Sequence, residues 1–129
     1  MDNIHRTRAM FNDMLNLPRG KYVPVGVAAG GSISFARGAF AVSYDRDLLP
    51  IPGCGVYDGL PDMDLILDAE RRKGWQAGTE IALGDLYLKD TPFGLCPRGI
   101  LKNAIKNWVD LGYNPMIGIE TEAYVCLLY

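Results

Sequence analysis

The 129-residue sequence contains a single histidine, His5, in a charged N-terminal stretch. A histidine-based metal cluster and a Ser-His-Asp triad are therefore excluded within this chain. Cysteine is also scarce: Cys54, Cys96 and Cys126 are odd in number and irregularly spaced. They form neither a disulfide framework nor a zinc ribbon and fit free thiols in a reducing cytoplasm. Neither sign of charge is in excess, with 13 Lys and Arg against 15 Asp and Glu and a net charge of −2. No basic stripe tracks a phosphate backbone, which argues against a nucleic-acid partner. No apolar run approaches the ~20 residues that a membrane helix needs. Met1 to Arg8 leads into no apolar stretch with a cleavage site, so no signal peptide is expected. A soluble, cytoplasmic protein with no membrane partner is the reading.

What the sequence does have is enough apolar material, 49%, to fill one core. The length suits one compact unit, or one plus a stub. Internal repeats and low-complexity segments are absent. Arg8 to Leu15 reads as a short strand, and Pro18-Arg19-Gly20 as the turn that ends it. Lys21 to Val25 resumes as an extended run, confined by Pro24 to an edge or a strand end. Val25 to Gly31 is Ala- and Gly-rich and reads equally as a short helix or a loop. Ile33 to Tyr44, rich in β-branched and aromatic residues, is expected as a strand with a break near Gly38.

Asp45 to Asp62 has too many prolines and glycines for a regular element, and a loop of that length is usually functional or mobile. Met63 to Leu67 and Thr79 to Leu88 read as strands, the second alternating Ile81, Leu83 and Asp85 against Ala82, Gly84 and Leu86. Lys89 to Cys96 is a turn region. Pro97 then opens a helix at the position where its missing N–H costs nothing. Ile100, Leu101, Ala104, Ile105, Trp108 and Leu111 recur on one face of it. Gly112 closes it in the left-handed conformation, with Pro115 soon after. Pro115 to Leu128 is expected as a final strand. The order is β-β-(loop)-β-β-α-β, an α+β fold with a mostly antiparallel sheet and one main helix.

The last expected strand carries the chemistry. On a strand, Glu120, Glu122 and Tyr124 line one face, with the two glutamate positions roughly 7 Å apart. Such carboxylates can splay to serve two cations, and they are natural hard ligands for Mg²⁺ or Mn²⁺. An E-x-E on a strand is more often a solvated face. Here Met116, Ile117, Val125, Cys126, Leu127 and Leu128 suggest burial, where paired carboxylates need counter-charges such as metals.

Gly118-Ile119-Glu120-Thr121-Glu122 is similar to the G-x-E-x-E-[FY] strand of the glutamine synthetase family, which includes glutamate–amine ligases acting on polyamines and anilines. Pro92 to Leu101, PFGLCPRGIL, resembles the family's P-[FY]-x-x-x-P-R-x-x-L helix opening. Asp62 to Asp68 resembles its D-[ML]-x-L-x-P-D strand. Trp75-Gln76-Ala77-Gly78-Thr79 and Gly84-Asp85-Leu86-Tyr87 resemble the motifs that follow, and Arg19-Gly20-Lys21-Tyr22-Val23-Pro24 its opening R-G-K-x-[VI]-P. These motifs stand in family order across roughly residues 10 to 125.

The resemblance implies a β-grasp N-terminal domain over residues 1–96, followed over 97–129 by a helix and the first strand of a catalytic domain. It implies an ATP-dependent ligase that joins glutamate to ammonia or an amine through γ-glutamyl phosphate, with Mg²⁺ or Mn²⁺. By match to the family strand, Glu120 and Glu122 would each bind one cation. Asp58 resembles the family's aspartate that binds and deprotonates the incoming ammonium, in a loop that reaches a neighbouring subunit's site in a ring. A plain turn residue is the other reading of Asp58.

The sequence departs from the family at Ala123, where an aromatic usually follows the second glutamate, and at Leu67, where a proline is usual. Arg98 is expected to pair locally, and Lys21 to be structural or interfacial. The family's nucleotide pocket and remaining cation ligands would lie beyond residue 129, so the isolated chain is expected to be inactive alone and to associate as a homo-oligomer or with a full-length synthetase. A free-standing β-grasp interaction module without catalysis is the alternative.

Overall fold

In the computed structural model, residues 3–123 and Val125 are described. One long strand organises the rest. β6 (Thr79–Leu88) carries small or apolar residues at alternate positions, and Ala82, Gly84 and Leu86 turn inward. β1 (Arg6–Asn12) runs parallel to the first half of β6 and buries Thr7, Ala9 and Phe11 on the same side. β4 (Asp62–Leu67) runs antiparallel to the second half and buries Met63, Leu65 and Leu67. The period-two alternation of each strand thus aims one face at a shared core.

β2 (Pro18–Pro24) pairs with β1, and β3 (Ser32–Ala36) with β4, both antiparallel. The order is β2-β1-β6-β4-β3, and the two-residue strands β5 (Arg72–Lys73) and β7 (Thr91–Pro92) also pair with β6. Gly84 lets two backbones meet at the centre, because a Cβ there would lie 2.2 Å from the Ile66 carbonyl oxygen.

The sheet curls, so its two edge strands approach one another. The Lys21 ammonium on β2 donates to the Ser34 carbonyl on β3 and sits 4.6 Å from the centre of the Phe35 ring. Inside the curl, Phe11 meets Phe35 edge-on at 5.0 Å and stacks on Phe40 at 5.9 Å, and Phe40 meets Phe93 edge-on at 5.0 Å. Edge and offset contacts suit the ring quadrupoles and add to the area buried.

An α+β fold with a mostly antiparallel sheet and one main helix is what forms, although several boundaries move. Pro18-Arg19-Gly20 is not a turn but the start of β2. The chain reverses earlier, where the Asp13 carboxylate accepts from the Leu15 and Leu17 amides at 2.9 and 3.0 Å. Its other oxygen pairs with Arg19 at 2.6 Å, and Asn16 takes the left-handed conformation. An Asx turn competes with the Pro-Gly signal and wins because it satisfies two amides next to a paired, buried charge. Pro18 is then tolerated as the first residue of an edge strand.

Val25–Ala28 is a short helix, α1. The expected strand over Ile33 to Tyr44 ends at Ala36, and Arg37–Phe40 coils into a 3-10 turn that swings Phe40 into the core. From there to β4 the chain is irregular apart from a one-turn 3-10 segment, Val56–Asp58.

α2 (Pro97–Asp110) begins at proline and ends in a Schellman motif. The Tyr113 amide donates to the Trp108 carbonyl, the Gly112 amide donates to that of Val109, and Gly112 adopts φ +85. The Trp108 and Tyr113 rings supply the accompanying apolar contact at 5.5 Å. The helix's apolar face nevertheless stays in solvent, with Leu101, Ile105, Trp108 and Leu111 all exposed.

The expected final strand does not form over residues 115–123, which have no regular structure and, from 116 on, are exposed. A strand needs a neighbour to satisfy its amides and carbonyls, and no strand of the sheet pairs with this segment. The remainder of that expected strand, at 124 and 126–128, lies outside the described residues.

Candidate functional site

Asp58 sits in the one-turn 3-10 segment at the exposed tip of the β3–β4 connection. Its Oδ2 accepts the Gly55 amide proton at 3.2 Å, and its own amide donates to the Gly55 carbonyl at 3.1 Å. Gly59 follows at φ +78, a left-handed position that glycine fills without strain. The carboxylate therefore holds the turn with one oxygen. The other has no hydrogen-bond partner among the described residues. Tyr57 beside it is 91% exposed, so the tip projects from the body of the molecule.

Glu120 and Glu122 are exposed on the irregular segment after α2, flanked by Ile117 and Ile119, which are also exposed. Neither glutamate makes a hydrogen bond or ion pair among the described residues. Among the described residues, no group of three or more His, Cys, Asp and Glu side chains is placed to hold a metal. The expected burial of the E-x-E pair is thus not found, and no hydrogen bond or ion pair links it to Asp58. As donors, two unpaired carboxylates still suit a hard divalent cation, with most of its coordination shell left to water.

The most developed polar constellation lies where α2 meets the sheet, and sequence reasoning did not assemble it. Arg98, in the first turn of α2, donates from both terminal nitrogens to Asp68, at 3.0 and 2.6 Å. One of those nitrogens also lies 3.3 Å from Asp85 Oδ1 on β6. Lys102, one helical turn on, pairs with Asp85 Oδ2. The Asp68 carboxyl is held below its usual range, chiefly by the Arg98 hydrogen bond and against the upward push of burial, with smaller attractions from Arg98, Lys102 and Arg71. Arg98 is pushed above the ordinary guanidinium value by the same bond. The signal for this cluster was present as the P-R helix opening and the aspartate ending β4. Arg98 does not pair locally as expected, because its carboxylate partner lies 30 residues away in the sequence.

No family model matches the chain. Gamma-glutamylanilide synthase from an Acinetobacter species is 31% identical over 134 residues, covering 92% of this chain and 27% of that protein. Glutamine synthetase of Pyrococcus furiosus is 29% identical over 123 residues, covering 90% of this chain and 25% of that protein. Over nine-tenths of its length the chain is thus similar to the N-terminal part of glutamine synthetases and gamma-glutamylanilide synthase. It spans about a quarter of the length of these curated relatives. Solved structures share the fold: GmaS with ADP aligns at TM-score 0.63 and 22% identity over 85% of this chain and 24% of that one. A glutamine synthase homologue aligns at 0.66 and 17% identity over 86% of this chain and 28% of that one. No helix among the described residues is long and apolar enough to cross a membrane.

Proposed function

We propose that this chain serves an ATP-dependent ligase that joins the γ-carboxylate of glutamate to ammonia or an amine, as its N-terminal region. The observation that carries this reading is the match to gamma-glutamylanilide synthase along 92% of the chain. Residues 1–96 form the β-grasp unit in this reading, and residues 97–129 lead into the catalytic part. The loose seating of α2, with its apolar face in solvent, supports a division at that point.

Glu120 and Glu122 would hold the divalent cations. A bound cation supplies charge neutralisation to phosphate groups, which is most of what phosphoryl transfer asks of a protein. Asp58 has a carboxylate oxygen open at an exposed tip, which supports a role in meeting a cationic ammonium or amine and accepting its proton. The projection of Tyr57 and Asp58 supports delivery of that carboxylate to a neighbouring copy, and hence a homo-oligomer. The acceptor named by the first relative is an anilide-forming amine, which favours an amine ligase.

Titration of the purified chain with Mn²⁺, read by electron paramagnetic resonance, tests the cation site. Weak binding, on the order of 1 mM, is expected because only two carboxylates are offered. It should disappear in Glu120→Ala with Glu122→Ala. Binding that survives the double substitution would remove these residues from the site.

A further inference from the structure

α2 is a helix of about four turns whose apolar residues Leu101, Ile105, Trp108 and Leu111 stay substantially exposed. Beneath its first turns a groove of about 310 Å³, lined by Met10, Leu83 and Leu101 among others, remains open between helix and sheet. Apolar burial therefore contributes little to seating the helix, and charge has to supply the attachment. Arg98 spans two carboxylates on two different parts of the sheet, Asp68 at the end of β4 and Asp85 on β6. Asp85 Oδ1 is shielded from solvent and accepts no hydrogen bond among the described residues, so the nearby guanidinium is its counter-charge. Lys102 adds a second point of attachment on Asp85 Oδ2.

We infer that Arg98 is an electrostatic latch that seats α2 on the sheet through Asp68 and Asp85, and so sets the direction in which the chain leaves toward Glu120 and Glu122. Only a planar fork can engage Asp68 with both nitrogens while facing Asp85; a lysine ammonium offers a single point. The latch residues are about a quarter to a third exposed, so dissolved salt reaches them and competes. Arg98 acts here as a positioning residue. Its bearing on Glu120 and Glu122 rests on the cation reading above, whereas the latch itself does not.

Hydrogen–deuterium exchange on the intact chain tests this, with the β6 amides as internal reference. At about 1 M NaCl, α2 amides should exchange roughly five- to tenfold faster than at about 0.02 M, with β6 unchanged. Arg98→Gln should reproduce that acceleration at low salt, and Arg98→Lys should fall between. Lys106→Gln removes the same charge from the same helix, where among the described residues it pairs with Asp110 alone, and should match the parent. Indifference of α2 to both salt and Arg98→Gln would overturn the latch, as would equal loss of protection in α2 and β6. Mn²⁺ titration of the same variants keeps the two ideas apart: a latch that opens in Arg98→Gln while no variant binds Mn²⁺ would stand without the cation site.

Discussion

Asp58 illustrates how one carboxylate can hold two roles. Its Oδ2 fixes the 3-10 turn through the Gly55 amide while the other oxygen stays open. Asp58→Asn keeps the turn acceptor and loses the charge, and Asp58→Ala loses both. Thermal unfolding should therefore hardly move for asparagine and should show a loss of about 1 kcal/mol for alanine, the usual scale for a lost cap. If Asp58 receives an ammonium in an assembled ligase, asparagine should abolish amide formation at unchanged stability; full activity in the asparagine variant would leave only the turn role. At this scale the sequence was legible where a residue acts through its neighbours in the chain. Asp13, which organises the first reversal, is masked in the sequence by the stronger local turn signal of Pro18-Arg19-Gly20. Arg98 and Asp68 were each seen but not joined, since nothing local encodes a pairing across so many residues.

Among the elements, β6 and α2 were read with boundaries within a residue of those found. Strong alternation and a Pro-to-Gly bracket are signals that need no tertiary partner. The segment after α2 departs from expectation for the opposite reason: its apolar, β-prone composition requires a strand to pair with, and none of the sheet's strands provides one. How α2 is seated has a consequence for acid. The groups facing Asp68 are Arg98 and Lys102 from α2 and Arg71 from the approach to β5, and those facing Asp85 are Arg98 and Lys102. Because the folded Asp68 carboxyl lies below its usual value, its contribution is complete above the ordinary carboxylate range. It is lost as pH falls through the lowered value. Exchange of α2 amides should accordingly stay slow from neutral pH down to about pH 4 and accelerate below it, after correction for intrinsic rates. Loss of protection beginning near pH 6 would point to another group.

For the molecule as a whole, the fold class was legible because helix and strand periods were clear and stood in family order. The curl was not, since the closure of β2 on β3 through Lys21 depends on sheet twist and a single long-range contact. The chain matches about a quarter of its curated relatives, and its two candidate ligands and one loop carboxylate do not by themselves enclose a nucleotide. ATP- and glutamate-dependent phosphate release by the purified 129-residue chain should be indistinguishable from the protein-free rate. Measurable turnover would show that the chain assembles a complete site by itself.

The position of β6 bears on how the chain comes into being. β1 and β2 can pair as soon as both are made, and β3 and β4 can meet across their loop, but no strand pairs with both until Thr79–Leu88 arrives. Contacts between such distant segments carry a loop-closure cost that is met late and slowly. A nascent chain halted before Thr79 would be two strand pairs with no shared central strand and open edges, the form in which a chaperone would find it.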